Sequence, residues 1–253
     1  MSSIADIDAT TMESRLTMIS ELVAKPMPAE DPCPALVGDS IFVGNKHHAA
    51  SMDTILSLGI TAVLNCAPSG IRNLPLNAYR EHGIHYEFTN VVRDDESYPI
   101  LHDKQGVGSE HFEVAKSLYG RVQEKRGKAL FFCVAGQNRS ATLAVAVLIA
   151  GGCPLKHVLS VCSKSRPFML ENAGFQRQLV EFEALCERDR FGIPSNPSKR
   201  ARLGDEASAG HVGVRPAAAG AAGASTSTGP VVEKVTLTSH LSPLTSHLSP
   251  LTS

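Results

Sequence analysis

With 253 residues, 43% of them hydrophobic, the chain can bury one substantial core or two smaller ones, and a net charge of -1 at pH 7 gives no electrostatic reason to expect nucleic acid or an anionic membrane as partner. Six cysteines without a C-x-x-C pair fit a reducing compartment better than a disulfide framework. The longest apolar run, 141–150, falls short of the ~20 residues of a membrane helix, residues 1–19 are too polar and acidic for a secretory leader, and Ser2 does not fit the usual myristoylation signal, so a soluble cytoplasmic protein is expected.

Three regions are predicted: a leader with a proline-rich connector over 1–34, a folded domain over 35–191, and a disordered low-complexity tail over 192–253. Between Ile4 and Val23 the apolar positions are partly helical in spacing, and both a peripheral helix and an unstructured leader fit. Pro26, Pro28, Pro32 and Pro34 make an extended connector. Ile41 to Gly44 reads as a strand entering a turn, followed by a helix from Ala49 to Leu58 with Met52, Ile55 and Leu56 inward and Gly59 as its stop. Ile60 to Cys66 is a β-rich buried strand, Pro68-Ser69-Gly70 a turn, and His85 to Thr89 another strand.

Asn90 to Ser109 is polar, acidic and glycine-bearing, which predicts a surface loop of the kind that carries function. Glu110 to Lys125 places Phe112, Ala115, Leu118, Tyr119 and Val122 at helical spacing as core. The apolar run Ala129 to Phe132 has the length of a buried strand, and Ser140 to Ile149 that of a core helix ended by Gly151 and Gly152. A helix from Leu155 to Ser163 opens on Pro154, stops at Arg166-Pro167, and gives way to a final amphipathic helix starting at Asn172, with Phe175, Leu179, Phe182 and Leu185 facing in. Strands separated by helices predict an α/β fold, a mainly parallel central sheet flanked by helices on both faces.

The tail from Ser195 to Ser253 is rich in Ala, Gly, Ser, Thr and Pro and repeats LTSHLSP at Leu237 to Pro243 and Leu244 to Pro250. The prolines exclude a coiled coil, Ser242-Pro243 and Ser249-Pro250 are candidate sites for proline-directed kinases, and Lys199-Arg200-Ala201-Arg202 resembles a short import signal that would take the protein to the nucleus.

The chemistry is concentrated between the strand at Ala129 and the helix at Ser140. A loop running from a strand into a helix turns free backbone N–H groups toward one point, and the helix dipole adds positive potential there, so the spot suits an anion. Val134, Ala135, Gly136, Gln137 and Asn138 carry no charge and little bulk, as a loop wrapping a phosphate with its main chain requires, and Gly136 lets the backbone approach closely. Arg139 offers a planar fork for two phosphate oxygens. Cys133 falls at the floor of this cradle, where amides and a guanidinium lower a thiol pKa, to about 3.5–7.5 in known cases, and Ser140 can donate its hydroxyl to the sulfur and stabilise it as a leaving group. Cys66, Cys153, Cys162 and Cys186 read instead as inert core thiols. Cleavage of a phosphate ester also needs a proton donor for the departing oxygen, and Asp94 and Asp95 on the acidic loop are the candidates. The histidines do not suggest a metal: His47 and His48 point apart on a helix, while His102, His111, His240 and His247 lack zinc-type partner spacing and are expected at the surface.

The run FCVAGQNRS resembles the signature H-C-x-x-G-x-x-R-S of the dual-specificity branch of cysteine-dependent protein phosphatases, with Phe132 in the place of the signature histidine. The run RPFMLENAGFQRQLVEFE resembles the family's R-P-x-x-x-P-N-x-G-F-x-x-Q-L-x-x-F-E with Glu171 replacing the proline, and I-F-V-G-N, A-A-S-M and L-G-I-T-A-V-L-N resemble its opening strand, helix and strand. The resemblance extends over about 35–190 and implies a protein tyrosine phosphatase-like fold, Cys133 as nucleophile through a phosphocysteine, Val134 to Arg139 as the phosphate loop, and no metal or other cofactor. It places the general acid on Asp94, because V-V-R-D matches the family's register, with Asp95 as runner-up. The family's histidine orders the loop and tunes the thiol by hydrogen bonding, which a phenyl ring does not do. The loop lacks the lysines and extra arginines of relatives acting on inositol phospholipids, which implies a phosphorylated protein as substrate, on tyrosine, serine/threonine or both. Two other readings stand beside this one: a phosphatase-like module that binds phosphorylated partners with little or no turnover, motivated by Phe132, and a sulfur-transfer or arsenate-reducing enzyme, against which the Arg-Ser pair and the C-terminal run argue.

Overall fold

The computed structural model describes residues 7–31, 33–71, 73–102 and 108–191, so the expectations for the tail, its repeat and its basic cluster lie outside the described residues. Of the two readings of the N-terminus the chain adopts the helix, α1 (Ala9–Leu22), capped by the Asp8 side chain accepting from the Thr11 amide. α1 packs against two helices late in the chain, and Arg15 forms an ion pair with Glu183 there. Beyond it, Lys25 donates its amide to the Pro167 carbonyl at 2.9 Å and Val23 accepts from Met169 at 3.2 Å, so the leader is stitched to the R-P stretch.

A two-residue strand that the sequence pattern does not reveal, β1 (Ala35–Leu36), precedes β2 (Ile41–Gly44). The predicted helix over Ala49 to Leu58 is instead two, α2 (Lys46–Ala50) and α3 (Met52–Ser57). Asn45 caps the first in a capping box with His48, and Ser51, with extended backbone, ends it and caps the second through the Thr54 amide. This restart turns Leu56 outward, 47% exposed, against the expectation that it faces the core. β3 (Ala62–Asn65) leads to a 3-10 turn at Pro68–Gly70 and to an unforeseen helix, α4 (Leu76–Glu81), anchored by buried Tyr79, whose hydroxyl donates to the Ala49 carbonyl. After β4 (His85–Phe88) and the acidic loop come α5 (Glu110–Glu124), β5 (Ala129–Phe132), α6 (Arg139–Ala150), α7 (Leu155–Ser165) and α8 (Ala173–Phe191).

The strands form one sheet in the order β1-β2-β5-β3-β4, antiparallel only at the β1 edge. β5 is the central strand, with Phe132 level with Gly44 on one side and Asn65 on the other. All its residues are buried, as are Ser140 to Ile149 of α6, so both elements read as apolar runs rather than as one-sided patterns. α6 packs on β2 and β5, α5 on β3, and α7 and α8 cover α6. The histidines expected at the surface include three that are buried: His48 accepts the Asn45 amide at 3.0 Å, His102 lies 3.2 Å from Glu181, and His111 bonds the Tyr98 hydroxyl at 2.8 Å. Ligands of open parallel sheets lie beyond the carboxyl ends of the strands. The stretch from Cys133 to Arg139 occupies that place at the end of the central strand.

Candidate active site

Cys133 is the first residue past β5 and is 1% exposed. Its sulfur accepts the Gly136 amide at 3.2 Å and the Ser140 hydroxyl at 3.4 Å. One donor comes from the loop and one from the first turn of α6, whose free N–H groups and dipole face the same point.

The orientation of the loop amides follows from what holds the carbonyls. In a trans peptide the C=O of one residue and the N–H of the next point in opposite directions, so a carbonyl tied on the outside aims the following N–H inward. Val134 accepts from the Lys46 amide at 3.3 Å and Gln137 from the Leu170 amide at 2.9 Å. Ala135 accepts from Arg166 Nη2 at 3.3 Å and Gly136 from Arg166 Nε at 3.0 Å. The N–H groups of Ala135, Gly136, Gln137 and Asn138 are thereby turned to the concave side, the arrangement of an anion nest. Gly136 has φ +70°, and a Cβ on it would lie 2.5 Å from the Gly44 backbone, so both conformation and space require glycine. Leu170 also takes a left-handed φ of 60°, a strained conformation held where its amide meets the Gln137 carbonyl. Asn138 accepts the amides of Glu171 and Asn172 at 2.8 and 3.1 Å, tying the end of the loop to the second signature.

Arg139 reaches across this concavity toward the acidic loop. Its Nη1 donates to the Val92 carbonyl at 3.4 Å, and its Nε lies 3.6 Å from Asp94 Oδ2. That buried Nε has no hydrogen-bond partner among the described residues, an orphaned donor of the sort an anion would satisfy. Asp94 is held on its other oxygen by Asn172 Nδ2 at 3.1 Å. Asp95 behaves differently. Its Oδ1 accepts the Ser97 amide at 2.8 Å and hydroxyl at 2.6 Å, and those bonds, the hydroxyl first, hold its carboxyl below the usual range. Of the two candidates, only Asp94 is brought to Arg139.

The acidic loop is fixed along α8. A Cβ on Gly174 would fall 1.8 Å from the Glu96 carbonyl oxygen, so glycine admits the loop there. One turn on, Gln178 accepts the amides of Ile100 and Leu101 at 2.8 and 3.1 Å and donates to the Tyr98 carbonyl at 2.8 Å. Tyr98 in turn donates its hydroxyl to the Val91 carbonyl at 2.8 Å, next to buried His111, whose pKa burial lowers.

The structure thus places Cys133, the loop Val134 to Asn138, Arg139, Ser140 and Asp94 around one point. Sequence reasoning missed Arg166, Asn172 and Gln178, and Asp31, which pairs with Arg166. The first three lie in the R-P to Q-L run, whose polar members at apolar-run positions were the available signal; Asp31 gave none. Phe132 is fully buried and has no side-chain donor to offer the loop. Burial pushes the thiols of Cys66 and Cys186 up and that of Cys162 to about 12; Cys66 and Cys162 lie in the core as expected, whereas Cys153 and Cys186 are only half-buried at its margin. No group of three or more His, Cys, Asp or Glu side chains among the described residues is placed to hold a metal ion.

Residues 41–185 match the family model described as "Dual specificity phosphatase, catalytic domain". Among curated proteins, the chain is 29% identical over 159 residues to dual specificity protein phosphatase 5 of Homo sapiens, the aligned part being 62% of this chain and 36% of that protein. It is 26% identical over 156 residues to dual specificity protein phosphatase 1 of Arabidopsis thaliana, covering 61% and 71% of the two chains. With protein phosphatase Slingshot homolog 1 of Homo sapiens the identity is 25% over 158 residues, and the match covers 62% of this chain and only 14% of that one. The chain therefore spans about a third or less of the length of several of these relatives. Among solved structures, human DUSP28 superposes with a TM-score of 0.52 at 23% identity, over 65% of this chain and 99% of that one. A mouse putative dual specificity phosphatase complexed with zinc tungstate gives 0.52 at 23%, over 66% and 96%. At such identities these two structures speak for the fold, a protein tyrosine phosphatase-like one.

Proposed function

The chain belongs to the dual-specificity phosphatase family, and from that premise we propose that it is an active protein phosphatase working through a phosphocysteine. The observation that carries this reading is the Cys133 sulfur held by Gly136 N–H and Ser140 Oγ beneath amides turned inward, with the Arg139 Nε making no hydrogen bond among the described residues. A phosphorylated side chain enters with its phosphoryl oxygens on the N–H groups of residues 134–139 and on the Arg139 fork, donors already in place where charge gathers in the transition state. The Cys133 thiolate attacks phosphorus as the phosphorus–oxygen ester bond breaks, and Asp94 gives its proton to the departing oxygen. Water then attacks phosphorus, Asp94 takes back a proton, the sulfur–phosphorus bond breaks, and phosphate leaves. Ser140 Oγ stabilises the sulfur in this second step. Occupation of the Arg139 fork by phosphate also releases Asp94 from that cation, freeing it to face the ester oxygen.

The substrate class is a phosphorylated protein, because the loop side chains between Cys133 and Arg139 bring no cation for additional phosphates. A second reading, a phosphoprotein-binding module with little turnover, is favoured by Phe132, which gives the loop none of the hydrogen bonding that the family's histidine supplies. An assay of the purified 253-residue chain on an aryl phosphate and a phosphopeptide panel separates the two. Hydrolysis that vanishes in Cys133→Ser is the expected result. Phosphopeptide binding without hydrolysis by the wild type would establish the binding module instead.

A further inference from the structure

Arg166 is 1% exposed, and its guanidinium lies immediately behind the phosphate loop. A cation in such a place is tolerated only when paired and fully hydrogen-bonded. Its partner is Asp31, ahead of the span that matches the family model, in the connector of the leader. The pairing is two-pronged: Nη1 to Oδ1 at 2.9 Å and Nη2 to Oδ2 at 2.6 Å. Asp31 is itself fixed, with Oδ2 accepting from Asn45 Nδ2 at 2.9 Å and its backbone carbonyl 2.8 Å from His48 Nε2. The pair leaves Nε and the second Nη2 bond for the Gly136 and Ala135 carbonyls. Neither residue faces the site, so neither is available to touch a ligand in it.

We propose that Asp31 is a positioning residue of the phosphate loop. By fixing the plane and rotation of the Arg166 guanidinium, it sets the Ala135 and Gly136 carbonyls outward and so aims the Gly136 N–H at the Cys133 sulfur and the Gln137 N–H at the bound anion. The leader is then part of the active site's framework. The pair is neutral as a whole, so its influence is geometric: a fork locked on one edge by a carboxylate presents its remaining donors in a fixed plane, which a lysine cannot reproduce. This proposal rests on the reading of residues 134–139 as an anion site, and its test uses inorganic phosphate so that turnover is not required.

The 253-residue chain is titrated with inorganic phosphate and followed by the backbone amide resonances of Ala135 to Asn138. Wild type, Arg166→Lys, and Asp31→Asn combined with Arg166→Met are compared, the last because replacing both members of a buried pair spares the fold the unpaired charge left by a single change. The expected result is phosphate affinity reduced about tenfold or more in both variants, with loss of the phosphate-induced downfield shift of Gln137 and a folded spectrum elsewhere. Affinity within twofold of wild type in either folded variant, or amide shifts that persist, would overturn the proposal and leave the pair a structural tie. A wild type whose amides do not respond to phosphate would instead remove the anion-site reading on which the proposal stands.

Discussion

Two neighbouring strands end on a cysteine at the same level of the sheet, and the two sulfurs meet different surroundings. β3 and β5 are parallel with Asn65 level with Phe132, and the Cys66 amide donates to the Phe132 carbonyl at 2.8 Å, so the ladder runs on to the two cysteines. Both are buried. After β3, the Asn65 side chain takes the Ala67 amide at 2.9 Å and the chain turns through Pro68, so among the described residues the Cys66 sulfur has only the Leu64 carbonyl at 3.8 Å. Burial, and then the charge of the adjacent Cys133, push its thiol well up. After β5, the chain passes through a left-handed glycine into a helix, and an amide and a hydroxyl meet the sulfur. Burial and strand position are shared; the donors that follow the strand make the difference, and the reactivity we propose belongs to the loop rather than to the cysteine.

The same contrast extends to the residues that face each strand end, and it can be broken most severely at the acid. Asp94→Asn is expected to lower the turnover number on phosphopeptides by about 10²–10⁴-fold, the usual range for a lost general acid, while Asp95→Asn stays near wild type. Steady-state kinetics on both variants checks this, and equal losses would remove the distinction drawn between the two carboxylates. Arg139→Lys keeps the charge but not the fork, and a fall in kcat/KM of about 10²–10³-fold is expected. A loss confined to KM would mean that the fork binds substrate without acting in the transition state. The smallest change sharpens the comparison at the end of β5 itself: Phe132→His is expected to raise the hydrolysis rate about tenfold, the worth of one hydrogen bond to a charged group. An unchanged rate would show that Phe132 is not a handicap.

Much of this difference between the strand ends is visible in the sequence, because the loop's chemistry is local. Cys133, Gly136, Arg139 and Ser140 are close neighbours in the chain, and a strand, a short loop and an apolar helix fix their mutual placement. The four parallel strands are legible for the same reason, three of them as short apolar runs bounded by turn residues and β4 by the alternation of His85 to Phe88. Elements too short for a period were not: β1 has two residues and α4 six, and the break at Ser51 depends on a cap inside a stretch whose apolar spacing suits one continuous helix. The buttress behind the loop is illegible for another reason. Asp31 and Arg166 meet across 135 positions of sequence, and nothing local marks either as a partner. Asn172 and Gln178 are intermediate, since their place in a recognisable run drew notice while their contact with the acid loop needed the tertiary fold.

The most direct measurement is rapid chemical quench of the 253-residue chain with a phosphopeptide labelled on its phosphate, followed by peptide mapping of the trapped adduct. The expected result is a phosphothiol on the peptide containing Cys133, formed equally well by Cys66→Ala and absent from Cys133→Ser. Label on the peptide containing Cys66, or turnover that survives in Cys133→Ser, would contradict the assignment of the chemistry to the loop that follows β5.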